Sequence, residues 1–507
     1  MVADLWRHRS ATNRSAASVG VNMGIGKYGR RVVAKAKREV TGRFRAKPYD
    51  PAHPVPPPRD IAVAQDVSAA GEPVWSPKSG GTCASSDVEG RIRVYASATS
   101  VNRGAGIDFM VSVNPPQPFT VEVFRVGAED VSVLTTEALD GATQEWSALD
   151  LTTRTITCSW TPTWHLDVPA DWRSGIHVAK LRTEDGLQTC VPFVVRDDAG
   201  DHDILVALPF PTYQAYNEYP KDKKTGASLY YAWEDGKIYT EGKAATKVSF
   251  DRPYHVTGLP ANFDLDTAFA KWVEIWAAAQ GKSVGYADSA DLHDGTVDPT
   301  RHKALIFPGH DEYWSAPMRD ALDKGIANGA HVAFLAANNV YWRIRLEDGG
   351  RTVVCYKNRP DPGAASANER TAQWRQTGRP EQEVLGAQYV STLKGTAPLV
   401  VDNAGHWFWE GTGVRNGEQI PELLWGECDQ VQPWIQSPDG VEILAASPYT
   451  GQGQPRMQHT VLHRTPAGGL VFDGGTFHWA KGLSTHGIAD SRIQRATANL
   501  LSRMLEQ

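Results

Sequence analysis

Cysteine is scarce and scattered. The five, Cys83, Cys158, Cys190, Cys355 and Cys428, contain no CxxC pair and make an odd total. A disulfide framework and a zinc ribbon are therefore excluded as organising principles; a Cys158–Cys190 bridge within one small domain is the one pairing left open. Long apolar runs are also missing, since no stretch approaches the ~20 residues of a membrane span. The N-terminus lacks the apolar core of a secretory signal, and the twin arginine Arg30-Arg31 has no apolar run behind it, so a cytoplasmic protein is expected. An excess of positive charge is absent too. The formal net charge is -6, which does not point to nucleic acid as the main partner.

What is present is uneven. From Arg7 to Lys47 the chain is strongly basic with only Glu39 opposing it, and PYDPAHPVPPPRD follows as a spacer that cannot form helix or central strand. Residues 1–88 read as a basic arm and proline-rich linker, and Val32-Val33, Ala36, Val40 and Phe44 could form a basic amphipathic helix on a membrane surface. From Arg91 the apolar period is two: Ile92, Val94, Ala96; Phe109, Val111, Val113; Phe119, Val121, Val123; then Ile176 and Val178. Short alternating strands between Gly, Pro and Asn turns predict an antiparallel, Ig-like β-sandwich over 89–199.

Beyond Asp201 the pattern becomes α/β. ILVAL (204–208), ALIF (304–307) and HVAFLA (331–336) are continuous apolar runs, expected of strands buried on both faces. SVGYAD (283–288) and GLVFDGG (469–475) are further strands; Phe263–Gln280, Met318–Asn328 and Ile493–Leu505 read as helices, with Ser315 as an N-cap. Residues 200–507 are thus predicted to be one α/β domain with a parallel, flavodoxin-like sheet. The 17 tryptophans could wall a pocket or fill this core.

In open parallel sheets, ligands bind outside the carboxyl ends of the strands. Four such ends carry polar and aromatic groups: Tyr213, Tyr216, Asn217 and Tyr219; His310, Asp311 and Glu312; Asn338, Asn339 and Arg343; and His478. No GxSxG elbow, Walker loop, HExxH or cysteine nucleophile stands among them. Phenols and carboxylates suit a hard cation, phenolate in particular ferric iron. The plainer alternatives are that Glu312 favours the helix N-terminus behind it, that Asn338-Asn339 is a turn, and that the tyrosines are core. Arg343 and Arg345 are expected to pair with carboxylates around the pocket.

TYQAYN (212–217), SLYYA (228–232), SFDRPY (249–254), PGHDEYW (308–314) and FLAANNVYWRIR (334–345), in that order, resemble the catalytic domain of the N,N-dimethylformamidase large (beta) subunit family. GECD (426–429) and VFDGGTFHW (471–479) fit more loosely. The resemblance implies a fold related to class I glutamine amidotransferases, a mononuclear ferric iron held by two tyrosines and a glutamate, and hydrolysis of a small amide. Carried over by motif, it makes Glu312, Tyr254 and Tyr213 the metal ligands, with Tyr216 competing with Tyr213. His310, Asn338 and Glu427 become the catalytic groups. A small accessory subunit or a homo-oligomer is the implied assembly. The rival classes are a small-molecule or carbohydrate-binding protein on the same scaffold, and a membrane-surface protein recruited by the basic arm.

Overall fold

A computed structural model describes residues 71–83, 90–145 and 149–506. The basic arm, its amphipathic stretch and the proline-rich spacer lie outside the described residues. Among the described residues, no helix is long and apolar enough to cross a membrane.

Alternation upstream produces two small sheets. One runs, in order, Thr82–Cys83, Leu187–Arg196, Gly175–Thr183, Phe119–Val126 and Val131–Thr135, with Ser100–Asn102 also pairing the 187–196 strand. The other joins Ile92–Ala96, Gly106–Val113 and Trp164–Asp167. Pairing is antiparallel except where Thr82–Cys83 and Ser100–Asn102 run parallel to the 187–196 strand. Phe109, Val111, Phe119, Val121, Val123 and Phe193 share the core between them, the outcome the period of two predicts. Cys158 and Cys190 are both free, so the bridge left open by their spacing does not form; the Cys190 thiol instead donates to the Trp75 carbonyl.

Downstream, nine strands make one sheet: β1 (Ile204–Leu208), β2 (Val284–Asp288), β3 (Ala304–Phe307), β4 (His331–Phe334), β5 (Gln388–Val400), β6 (Gln419–Gln430), β7 (Glu442–Gly451), β8 (Gln454–Arg464) and β9 (Leu470–Asp473). Their order is β2-β1-β3-β4-β9-β8-β7-β5-β6. The first five in that order pair parallel, and they are the three strands expected from apolar runs with the further strands expected at 283–288 and 469–475. The remaining four pair antiparallel as long hairpins. That half corrects the expectation of a wholly parallel sheet. Its strands are only half-buried over much of their length, so they lack the continuous apolar signature of β1, β3 and β4.

Helix α1 (Phe210–Tyr216) follows β1 directly; α2 spans Phe263–Ala279, α3 Ala316–Ala327 and α4 Ser491–Leu505. Ser315 caps α3, its hydroxyl accepting from the Met318 amide. The two parts of the chain are welded together. Phe124, Val126, Ile176 and Val178 belong to the same apolar cluster as Ile204, Trp272 and Trp276. Arg125 donates to both oxygens of Glu274 on α2, at 2.7 and 3.1 Å, and Tyr286 adds a third bond at 2.8 Å.

Candidate active site

The parallel strands reverse order between β1 and β3, and there the crevice beyond their carboxyl ends is open to ligands. Helix α1 leaves β1 on one side of this point; the 308–312 loop leaves β3 on the other. Thr212 on α1 locks the two together, its hydroxyl accepting the Glu312 amide at 2.9 Å and the Tyr313 amide at 3.2 Å. The turn after β4 closes the third side. Its Val340 amide donates to the Asp311 carbonyl, and the Tyr341 and Trp342 amides donate to that of Glu312.

Glu312, 1% exposed, is the centre. The Tyr216 hydroxyl donates to its Oε2 at 2.8 Å, and the Tyr230 hydroxyl reaches Oε1 and Oε2 at 2.6 and 2.7 Å. The two phenol rings stack with centroids 4.6 Å apart, and Trp342 Nε1 donates to the Tyr230 oxygen at 3.3 Å. His310 Nε2 stands 3.3 Å from Glu312 Oε2 and 3.5 Å from Glu427 Oε2. Its Nδ1 faces the Ala337 carbonyl at 2.9 Å, which makes Nδ1 the protonated donor. Asn338 Nδ2 bridges the two carboxylates, 3.2 Å from Glu312 Oε1 and 2.8 Å from Glu427 Oε2.

Glu427 arrives from the antiparallel half, on β6, opposite Thr392. The preceding Gly426 has φ +73, and a Cβ there would lie 2.8 Å from the Phe477 ring, which packs on His310 at 4.5 Å. Only glycine permits that approach. The Glu427 side chain is 19% exposed against 2% for His310 and Glu312, so the site opens to solvent past Glu427.

Charge follows from these contacts. Burial alone raises a carboxyl and lowers an imidazole. For Glu312 burial is outweighed by the His310 bond and charge, by Lys357 and by the Tyr230 bond, and its pKa falls below the ordinary value. For His310 burial is likewise outweighed, by the Glu312 bond and the Glu427 charge, and its pKa rises to about 9. Burial prevails at Glu427, only partly offset by His310, and lifts it to about 7. Burial also pushes both phenols well above their ordinary value, with the Glu312 charge adding to it. A bound cation reverses that logic and favours phenolate.

Four groups expected at this centre lie elsewhere. The Tyr213 hydroxyl bonds Asp266 on α2, and the buried Tyr254 hydroxyl has no hydrogen-bond partner among the described residues. The ligand trio Tyr213, Tyr254 and Glu312 is thus not brought together: Thr212 helps fix the rotation of α1 so that Tyr216, three residues after Tyr213, reaches Glu312 instead. His478 Nδ1 is held by the Glu422 carbonyl at 2.7 Å, and Arg343 donates to the Asn368 carbonyl rather than to a carboxylate. Arg345 does pair with acids, Asp361 at 2.7 Å and Glu347 at 3.8 Å.

Two groups were missed. Tyr230 stands in SLYYA, a motif whose family resemblance was noted but which follows no apolar strand run. Lys357 lies 3.3 Å from the Tyr230 ring centroid and 4.7 Å from that of Trp342, and burial lowers its pKa to about 8 against the pull of Glu312. Nothing in the local sequence marks it.

The oxygens of Tyr216, Tyr230 and Glu312 form a donor set that suits a hard ferric ion. Among the described residues no group of three or more His, Cys, Asp or Glu side chains is placed to hold a metal, so a metal here would rest on the phenols with Glu312. The Asn338 side-chain oxygen Oδ1 is buried beside them without a partner among the described residues.

Residues 120–492 match the family described as N,N-dimethylformamidase beta subunit-like, C-terminal. The chain belongs to that family. The match begins inside the upstream sheets and runs through α1, the 308–312 loop and β6. Two relatives named N,N-dimethylformamidase beta subunit, from Alcaligenes sp and Paracoccus aminophilus, are each 22% identical over 432 and 430 residues, covering 69% of this chain. Those alignments cover 55% of each relative, so the chain spans about half the length of the curated relatives it matches. Among solved structures, a Paenibacillus sp. cycloisomaltooligosaccharide glucanotransferase aligns over 49% of this chain and 38% of its own at 10% identity. Its TM-score of 0.16 carries no argument about this fold.

Proposed function

We propose that this dimethylformamidase-family protein hydrolyses a small amide with the help of a mononuclear ferric iron. The observation that carries the reading is the gathering around one buried carboxylate, Glu312, of two phenols, a histidine and the Asn338 amide, with Glu427 within 3.5 Å of that histidine. Tyr216, Tyr230 and Glu312 would hold the metal; when bound it would supply Lewis-acid polarisation of the amide carbonyl and acidify water. Glu427, titrating near neutrality at the solvent side of the site, takes the proton of the attacking water. The hydroxide adds to the carbonyl carbon, the C–N bond breaks, and the proton passes from Glu427 or the His310 imidazolium to the departing amine. Asn338 keeps Glu427 aimed and offers its amide to developing negative charge. Carboxylate and ammonium are the products.

The relatives are named as subunits, which supports a partner chain or self-association. The β2-β1-β3-β4-β9 order supports a doubly wound scaffold related to class I glutamine amidotransferases, with a sandwich over 89–199 ahead of it. A cytoplasmic location belongs to the same reading. Metal analysis and visible absorption of the purified protein, with amine release from short N-alkyl formamides and acetamides, test it. Near-stoichiometric iron, a phenolate-to-iron colour and turnover are expected. A colourless, metal-free protein without turnover would overturn the reading and leave a small-molecule or carbohydrate-binding role.

A further inference from the structure

Behind the Asn338 turn lie two carboxyl groups that the chemistry above does not use. Asp429, two residues beyond Glu427 on β6, and Asp473, the last residue of β9, are both fully buried. Both are tied to Gly475, whose carbonyl accepts the Asp429 amide and whose amide donates to Asp473, and their carboxyl groups lie within hydrogen-bonding reach of each other. Asp429 accepts the backbone N–H of Asn338 with both oxygens, at 3.0 and 3.1 Å, as an ionised carboxylate does. Asp473 accepts the Gly475 amide at 3.2 Å through one oxygen, and its other oxygen has no donor among the described residues. Two carboxylates in contact away from water cannot both be charged. A single proton left on Asp473 and donated to Asp429 would make a charge-assisted O–H···O⁻ bond of the strong kind.

The chain builds this contact deliberately tightly. Gly475 has φ +66, a Cβ on it would meet the His459 carbonyl at 2.3 Å, and its carbonyl receives the Asp429 amide at 3.2 Å. In front of the pair, Asn338 has φ +56, a left-handed conformation that needs outside support. Its side chain is the bridge between Glu312 and Glu427. We propose that Asp429 and Asp473 share one proton and act as a positioning pair, holding Asn338 in its left-handed turn and through it the spacing of Glu312 and Glu427. The kinetic part of this inference rests on the amide-hydrolase reading; the conformational part does not.

The test compares Asp429→Asn, Asp473→Leu and Asp473→Asn in the full chain, by hydrogen exchange and by steady-state kinetics with iron content measured. Asp429→Asn loses the carboxylate and Asp473→Leu the donor. In both, peptides covering 335–343 should exchange faster while those of the 106–126 strands do not change. Their kcat should fall by roughly 10- to 100-fold with KM and iron little altered, the usual size of an effect transmitted through a supporting hydrogen bond. Asp473→Asn keeps an N–H donor and should restore both readouts. Wild-type exchange of the turn in Asp429→Asn or in Asp473→Leu would overturn the proposal, as would an Asp473→Asn protein as impaired as Asp473→Leu. Should the wild type turn over no amide, the hydrolase reading fails and the exchange data alone decide the pairing.

Discussion

Two clusters of phenol and carboxyl lie back to back, one on each side of the Asp311-Glu312 dipeptide, and they behave oppositely. On the Glu312 side the carboxylate gathers donors from Tyr216, Tyr230, His310 and Asn338, and its pKa is held down. On the Asp311 side, burial raises Asp311 to about 7 and Asp266 further, although Tyr213 bonds Asp266. Among the described residues neither Asp311 oxygen has a hydrogen bond of good geometry, nor does one of Asp266, although Ser289, Trp314 and Thr212 stand near enough to Asp311 to offset part of its rise. The same residue types thus give an anionic, donor-rich pocket and a protonated, structural one. The difference lies in the number of donors and the nearness of cations: His310 bonds Glu312 but acts on Asp311 through its charge alone, and Lys357 lies by the Glu312 side.

The comparison can be broken most severely at its centre. Glu312→Gln should lose iron and activity together, by three orders of magnitude or more in kcat/KM if the metal supplies most of the rate. Asp311→Asn copies a protonated acid and should stay within about threefold of wild type, because it lies on the neutral side. Iron analysis beside kinetics reads both.

Next in size is Glu427→Gln, which should keep its iron and colour while kcat drops by roughly 10²–10⁴, the range for a lost general base. Loss of metal in that variant would make Glu427 a ligand instead.

The phenols separate the two pockets more finely. Tyr216→Phe and Tyr230→Phe should each bleach the visible band and lower iron occupancy, whereas Tyr213→Phe and Tyr254→Phe should leave both untouched. Tyr213→Phe should instead cost about 1–2 kcal/mol in urea unfolding, since Asp266 loses its donor. A colourless Tyr213→Phe protein would restore the ligand trio expected from the motifs.

The smallest effect is a slope. Asp266 has a folded pKa above its unfolded one, so between the two the folded state binds more protons. Its contribution is fully stabilising below about pH 4 and is lost as pH rises from there, by at most about 1.4 kcal/mol per pH unit. Glu312, depressed, has the opposite sign: its contribution is present above about pH 4 and is lost on acidification. Asp266→Asn should flatten the alkaline loss seen in denaturation midpoints measured from pH 4 upward, leaving the acid limb in place.

Much of the frame was legible. The apolar runs at 204–208 and 304–307 are strands β1 and β3 at those positions, and the run over 331–336 holds strand β4 at 331–334, because a strand covered on both faces is built mainly of apolar residues. Glu312, His310, Asn338 and Glu427 were legible as a set through strand ends and family motifs, and they do converge. Tyr230 and Lys357 were not, because each sits in a connection whose path depends on distant packing. The antiparallel half was hidden for a related reason. Its half-exposed strands mix polar and apolar residues in a period that loops also show.

The sequence by itself determined the buried parallel strands and the long helices, and that polar groups would collect at one edge of a sheet, since burial pattern and chain direction are local properties. Only the tertiary structure decided which phenols met which carboxyl. Tyr213 and Tyr216 are three residues apart on a helix shorter than two turns, and its rotation is held by distant anchors, the Thr212 hydroxyl against the Glu312 amide and Tyr213 against Asp266 among them. A contact spanning 100 residues leaves no trace in the spacing of its neighbours.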